Sequence, residues 1–143
     1  MKNLPKKIPV FPLSNFIIFP RTTVPLNIFE PRYVDMINDS MKSNKFIGMV
    51  QPKNKNNENS LVPELYKIGC MGKITSFKDT NNGHFLIELK GLIRFQILKE
   101  VKSEKKYREC EVDFEKFNDD LNEKNEDLKF TDLELIFKDL KNL

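Results

Sequence analysis

The chain has 143 residues, with 24 Lys and Arg against 21 Asp and Glu and a single histidine. That length suits one domain, with or without a helical extension, and supports a core that needs no disulfide or metal staple. Apolar residues make up 39% and include 12 Phe, which excludes a disordered chain, and no apolar run approaches the roughly 20 residues that span a bilayer.

The Lys-rich start is followed by Pro5, Pro9 and Pro12 rather than by an apolar stretch, so no signal peptide is read and a cytoplasmic protein is expected. Ile8 to Leu13 and Phe16 to Phe19 are short apolar runs broken by prolines. Proline cannot donate to a ladder, so both are expected as edge or bent strands. Val24 to Phe29 continues in that style. Pro31 suits the first position of a helix, and Tyr33, Val34, Met36, Ile37 and Met41 follow at spacings of three and four, which predicts an amphipathic helix over 31–42.

Phe46 to Val50 reads as a short strand and 52–63 as a solvated loop. Tyr66, Ile68, Cys70 and Ile74 share one parity, as do Phe85, Ile87, Leu89, Ile93, Phe95 and Ile97 after the turn residues Asn81-Asn82-Gly83. This is a hairpin, with a bend or bulge expected at Gly91. Cys110, Val112 and Phe114 supply a further strand. Residues 115–130 fit either a helix, through Phe117, Leu121 and Leu128, or a polar linker, and the linker is expected. Thr131 to Glu134 form a capping box, followed by the apolar stripe Leu133, Ile136, Phe137, Leu140 and Leu143. The count is six or seven strands and two helices: a mainly β (α+β) chain, expected as a small barrel or pseudo-barrel.

The charge is uneven. Residues 1–112 carry net +8 and residues 113–143 net −5. This predicts a β domain over 1–117 followed by an acidic linker and amphipathic helix over 118–143. Chemistry-bearing constellations are sparse. His84 lies beside a turn with no ligand or nucleophile partner in sequence. Cys70 and Cys110 have no CxxC spacing and are read as buried reduced thiols. Gly69-Cys70-Met71-Gly72-Lys73 fails the phosphate-loop spacing and falls inside a strand. No metal, cofactor or catalytic residue is expected. The basic body leaves RNA binding as an alternative, with Arg32-Tyr33, Arg94-Phe95 and Tyr107-Arg108 as basic–aromatic neighbours. Methionines and proline-broken strand edges favour polypeptide instead.

Ile8-Pro9-Val10-Phe11-Pro12-Leu13, Val24-Pro25-Leu26-Asn27-Ile28-Phe29-Glu30-Pro31-Arg32-Tyr33, Ile68-Gly69-Cys70-Met71-Gly72-Lys73-Ile74 and Leu89-Lys90-Gly91-Leu92-Ile93-Arg94-Phe95 occur in that order. The succession, over about residues 8–114, resembles the N-terminal substrate-binding domain of Lon proteases, in the version that also occurs as a free-standing bacterial protein. The resemblance implies a PUA-like β pseudo-barrel carrying the early helix, then a helical subdomain. It also implies recognition of exposed or unfolded polypeptide and self-association. The ATPase motor and Ser-Lys protease domain of Lon have no counterpart in these residues, so no enzymatic activity is expected. The helical subdomain shortens to one helix, as in a naturally short or a truncated chain. Expected peptide-binding residues are Pro25, Phe29, Arg32, Tyr33, Met36 and Met49. Expected self-association residues are Leu133, Phe137 and Leu140, making a homo-oligomer through the last helix. Neither nucleic acid nor membrane is the expected partner.

Overall fold

A computed structural model describes residues 4–14, 17–53 and 63–122. Its elements are β1 (Lys7–Pro12), β2 (Thr23–Ile28), α1 (Pro31–Met41), β3 (Phe46–Val50), β4 (Ile68–Asp79), β5 (Phe85–Val101), β6 (Arg108–Asp113) and a 3-10 helix (Glu115–Leu121). The six strands lie in the order β2-β5-β4-β3-β1-β6, and a β5–β6 pairing bends the sheet into a ring. β1 and β3 run parallel, with Val10 opposite Gly48. The other pairings are antiparallel. The expected small barrel is therefore present as a ring of strands rather than a regular barrel.

β5 is the organising strand because its 17 residues exceed the reach of any one neighbour. One edge pairs with β4 along most of its length. The other edge changes partner: Phe85 to Lys90 pair with β2, and Gln96 to Val101 pair with β6. In the seam between them, backbone groups need other partners, since an unpaired buried amide is costly. A tight turn supplies the first ones. Arg21 donates its backbone N–H to the Gly91 carbonyl at 2.7 Å, and Gly91 donates to the Thr22 carbonyl at 2.8 Å. The 3-10 helix supplies the next: the Arg94 backbone N–H donates to Asp120 Oδ2 at 2.9 Å.

The expected bend at Gly91 is a register shift, for Met71 opposes Ile93 while Gly72 opposes Gly91. A Cβ on Gly91 would stand 2.0 Å from the Phe19 carbonyl oxygen, so the requirement here is close backbone approach. The 81–83 turn behaves as its residues dictate, with Asn81 and Gly83 at φ of 68° and 76°.

Two apolar cores lie on opposite faces of β3, all five of whose residues are buried. Ile47 and Met49 face the first, with Tyr33, Met36 and Ile37 of α1 and with Ile87 and Leu89. Phe46 and Val50 face the second, inside the ring, with Ile8, Val10, Met71, Ile93, Phe95 and Cys110. α1 starts at Pro31, as the missing N–H of proline allows. Tyr33 stacks on Phe11 at 4.3 Å between ring centroids, and the Tyr107 hydroxyl donates to Asp39 Oδ2 at 2.5 Å, tying α1 to the approach to β6.

Three expectations are corrected. Ile17 to Phe19 form no strand, because this segment crosses over the sheet instead of joining it; Asn15 and Phe16 lie outside the described residues. Tyr66, just before β4, and Ile68, its first residue, do not share the buried face of Cys70 and Ile74: they are 48% and 46% exposed, since among the described residues neither α1 nor a strand covers the sheet there. Residues 115–121 are a 3-10 helix rather than linker, held by Phe117 and Leu121 against the second core. The last helix, 131–143, lies outside the described residues.

Candidate functional site

Where the cover over the sheet stops among the described residues, a half-open pocket of about 210 Å³ forms. Its floor is the end of β3 and the start of β4, through Met49, Val50, Gly69 and Cys70. Its walls are the crossing segment Ile17-Ile18-Phe19, the approach to β4 at Tyr66 and Ile68, and Gln51 and Arg94. The segment stays in place because Ile18 is buried in the first core, and because the following turn is bonded to Gly91. Tyr66 is anchored by its backbone N–H, which donates to the Gln51 carbonyl at 2.9 Å.

Arg94 is the charged wall. Its Nε and one terminal nitrogen donate to the two carboxylate oxygens of Asp120 at 3.0 and 2.8 Å, and its guanidinium lies 4.8 Å from the centre of the Phe117 ring. The hydrogen bonds to Asp120 raise its already high pKa, so it stays a cation throughout. Asp120 is thereby spent on Arg94 three times, twice by side chain and once by backbone. Cys70, on the floor, is held neutral: burial, helped by the Asp120 charge, pushes its thiol up to about 12. A thiol of that pKa is not a nucleophile near neutrality. Cys110 is likewise pushed up to about 11 by burial, and both cysteines are free thiols.

The residues expected to bind peptide separate into two groups. Pro25 and Arg32 are exposed, and Phe29 is 60% exposed. Arg32 pairs with Glu30 at 3.6 Å and lies over the Tyr33 ring. Tyr33, Met36 and Met49 are core residues. Met36 shows no surface at all, so it has no atom to offer a partner. Of the six, only Met49 lines the pocket, from beneath. Leu133, Phe137 and Leu140 lie outside the described residues. Phe29 belongs to a smaller apolar group, with His84 at 5.9 Å between ring centroids and Leu86 on the same outer face. His84 is an exposed turn residue, as its position beside Gly83 predicts.

The pocket residues Ile17, Phe19, Tyr66, Ile68 and Arg94 were not among the expected set. Tyr66 and Ile68 carried a signal, since they extend the apolar parity of Cys70 beyond the length that the neighbouring strand covers. The RNA alternative finds no support: Phe95 is fully buried, Tyr107 is buried, and Arg94 is committed to Asp120. Among the described residues no helix is long and apolar enough to cross a membrane, and no cluster of three His, Cys, Asp or Glu could hold a metal ion.

The sequence model of the ATP-dependent protease La (LON) substrate-binding domain matches residues 7–143. The chain belongs to the Lon substrate-binding domain family. Among curated relatives, the Lon protease of Flavobacterium johnsoniae is 31% identical over 106 residues, 74% of this chain and 13% of that protein. Lon protease 2 of Myxococcus xanthus is 25% identical over 112 residues, 78% of this chain and 13% of that protein. The chain thus spans about an eighth of the length of the curated Lon proteases it matches. Among solved structures, a Lon N-terminal domain protein from Xanthomonas campestris superimposes with a TM-score of 0.61 at 25% identity, covering 76% of this chain and 59% of that one. The N-terminal domain of Lon protease from the Mycobacterium avium complex, at 17% identity and a TM-score of 0.60, shares the fold. Residues 7–143 therefore correspond to the Lon substrate-binding domain, a non-catalytic domain.

Proposed function

We propose that this Lon-family domain binds short apolar segments of exposed or unfolded polypeptide in the pocket between Ile17-Ile18-Phe19 and Tyr66-Gly69. The observation that carries the reading is the uncovered apolar start of β4 facing a crossing segment that is itself fixed to the sheet. At about 210 Å³ the pocket falls below the roughly 300–1,000 Å³ of small-molecule sites. It suits side chains of an extended segment better than a whole cofactor. Gln51 and Arg94 place polar groups at the margin, where the backbone of such a segment would pass. One small pocket gives weak affinity per site, so effective capture depends on several copies acting together.

The test uses a reduced and alkylated, permanently unfolded model polypeptide carrying a fluorophore, followed by anisotropy. Ile68→Asp removes an exposed side chain of the pocket and costs little stability. It is expected to weaken binding tenfold or more, which corresponds to about 1.4 kcal/mol. Leu98→Asp changes a residue that is 61% exposed but outside the pocket, and it is expected to bind as the parent does. Equal affinities for the two variants would refute the assignment of the pocket.

A further inference from the structure

Resting on the peptide-binding reading above, we infer that the pocket takes its polypeptide as an extended strand: one side chain enters the apolar floor, and the main chain bonds to Ile68, Gln51 and Arg94. The first observation is how the pocket opens. The β3–β4 ladder closes at Met49 opposite Cys70 and resumes at the bridge between Pro52 and Leu65. Between these pairs Val50 and Gln51 stand against Tyr66, Lys67, Ile68 and Gly69, so the longer segment bulges away from the shorter. All of them except Lys67 line the pocket. Main-chain groups alternate in direction along a strand. The Lys67 carbonyl accepts the Ile97 N–H at 2.7 Å, and Gly69 stands opposite Phe95, so both turn their groups toward β5. Ile68, between them, turns its N–H and C=O to the gap. The Gln51 carbonyl across the gap is taken by the Tyr66 N–H, and among the described residues no hydrogen bond closes on Ile68.

Two side chains on the rim are in the same condition. Gln51 is half-buried, and among the described residues its carboxamide has no hydrogen-bond partner. Arg94 gives Nε and one terminal nitrogen to Asp120, and its other terminal nitrogen has no partner among the described residues. Charge narrows the occupant. Arg94 is the one charged residue of the lining among the described residues, and Asp120 neutralises it. The complement of such a rim is a neutral chain of dipoles with donors and acceptors spaced along it. An extended main chain has that character. A helix lacks it, because its N–H and C=O groups bond to one another except in the end turns. Laid in the pocket, a helix would leave Ile68 and Gln51 without partners at a dehydrated edge, which is costly. In an extended segment successive side chains take opposite faces. When one enters the pocket its two neighbours point to solvent, so apolar residues are read at every second position.

The test uses the full chain and three fluorophore-labelled peptides of equal length, followed by anisotropy. The first has Leu at every second position between Ser and Lys. The second has the same residues reordered to the i, i+3, i+4, i+7 spacing of an apolar helix face. The third repeats the first with ester oxygens in place of the central N–H groups. The first is expected to bind about tenfold more tightly than either of the others. Gln51→Leu keeps the size of the side chain and removes its hydrogen bonds. It is expected to weaken the first peptide about fivefold and to leave the third unchanged. Equal affinity for the first and second peptides overturns the inference, as does equal affinity for the first and third. A Gln51→Leu chain that binds both as the parent does, or that loses equally on both, overturns the contact between Gln51 and the main chain. If the peptides do not differ while the unfolded model polypeptide still shifts the Ile68 and Gly69 amides, the binding reading stands alone. If neither peptides nor polypeptide shift those amides, that reading falls and takes the inference with it.

Discussion

Replacing Gly91 with alanine should loosen the seam on which the pocket depends. The new Cβ would lie 2.0 Å from the Phe19 carbonyl oxygen and 2.7 Å from its carbon. Both are backbone atoms, so no rotamer change relieves the clash, and the 19–22 turn has to retreat by about 1 Å or more to reach ordinary contact. Retreat breaks the two hydrogen bonds between that turn and Gly91, each contributing about 0.5–1.5 kcal/mol net. It also disturbs Ile18, whose Cγ1 would sit 3.0 Å from the added methyl. The expected loss is about 2–4 kcal/mol, read as a lower midpoint in urea with an unchanged slope. Gly83→Ala is the internal control. Nothing lies within 4 Å of its Cβ position, and only its φ of 76° opposes alanine, which costs about 1–2 kcal/mol. Because Phe19 walls the pocket, Gly91→Ala should also weaken polypeptide binding, whereas Gly83→Ala should not. A Gly91→Ala chain within about 0.5 kcal/mol of the parent would refute the argument that close backbone approach fixes this residue.

Further outcomes follow from the same contacts. Asp120→Ala removes three hydrogen bonds to Arg94 at a partly solvated site, and should cost about 1–2 kcal/mol and speed hydrogen exchange at the Phe117 amide. Tyr107→Phe deletes the bond to Asp39 and should cost about 1 kcal/mol in urea, with α1 retained by circular dichroism. Cys70 and Cys110 are pushed up to about 12 and about 11 from an ordinary 9.0 by burial. The unfolded chain therefore releases these protons first, and stability is full below about pH 9 and falls as pH rises toward 11, by up to about 1.4 kcal/mol per pH unit per thiol. Cys70→Ser/Cys110→Ser should flatten that part of the urea midpoint against pH.

Much of the fold was readable because period-two burial leaves a strong imprint on a long strand. Phe85, Ile87, Leu89, Ile93 and Phe95 are all buried as their parity predicts, and α1 falls within a residue of its expected span. The family was legible for the same reason: its proline and glycine positions mark strand entry and close approach. The pocket was not legible. Parity tells which side of a strand a residue takes, but not how far the neighbouring cover extends, so Tyr66 and Ile68 read as core. The methionines show what burial adds to chemistry. Met36 and Met49 have the adaptable chemistry of a binding surface; both are buried in the first core, and Met49 also meets the pocket from beneath. The 3-10 helix escaped notice because its polar residues resemble a linker. Its hold combines Phe117 and Leu121 packed on the second core with a long-range pair, Arg94 with Asp120, 26 positions apart.

The most direct test of the account is a map of amide chemical shifts on the full chain as the unfolded model polypeptide is added. The account predicts concentration-dependent shifts gathered at Phe19, Gln51, Ile68, Gly69 and Arg94, with the Phe29–Leu86 end unchanged. Saturating polypeptide that leaves these five amides in place, or that moves only the signals around Phe29, His84 and Leu86, would contradict it.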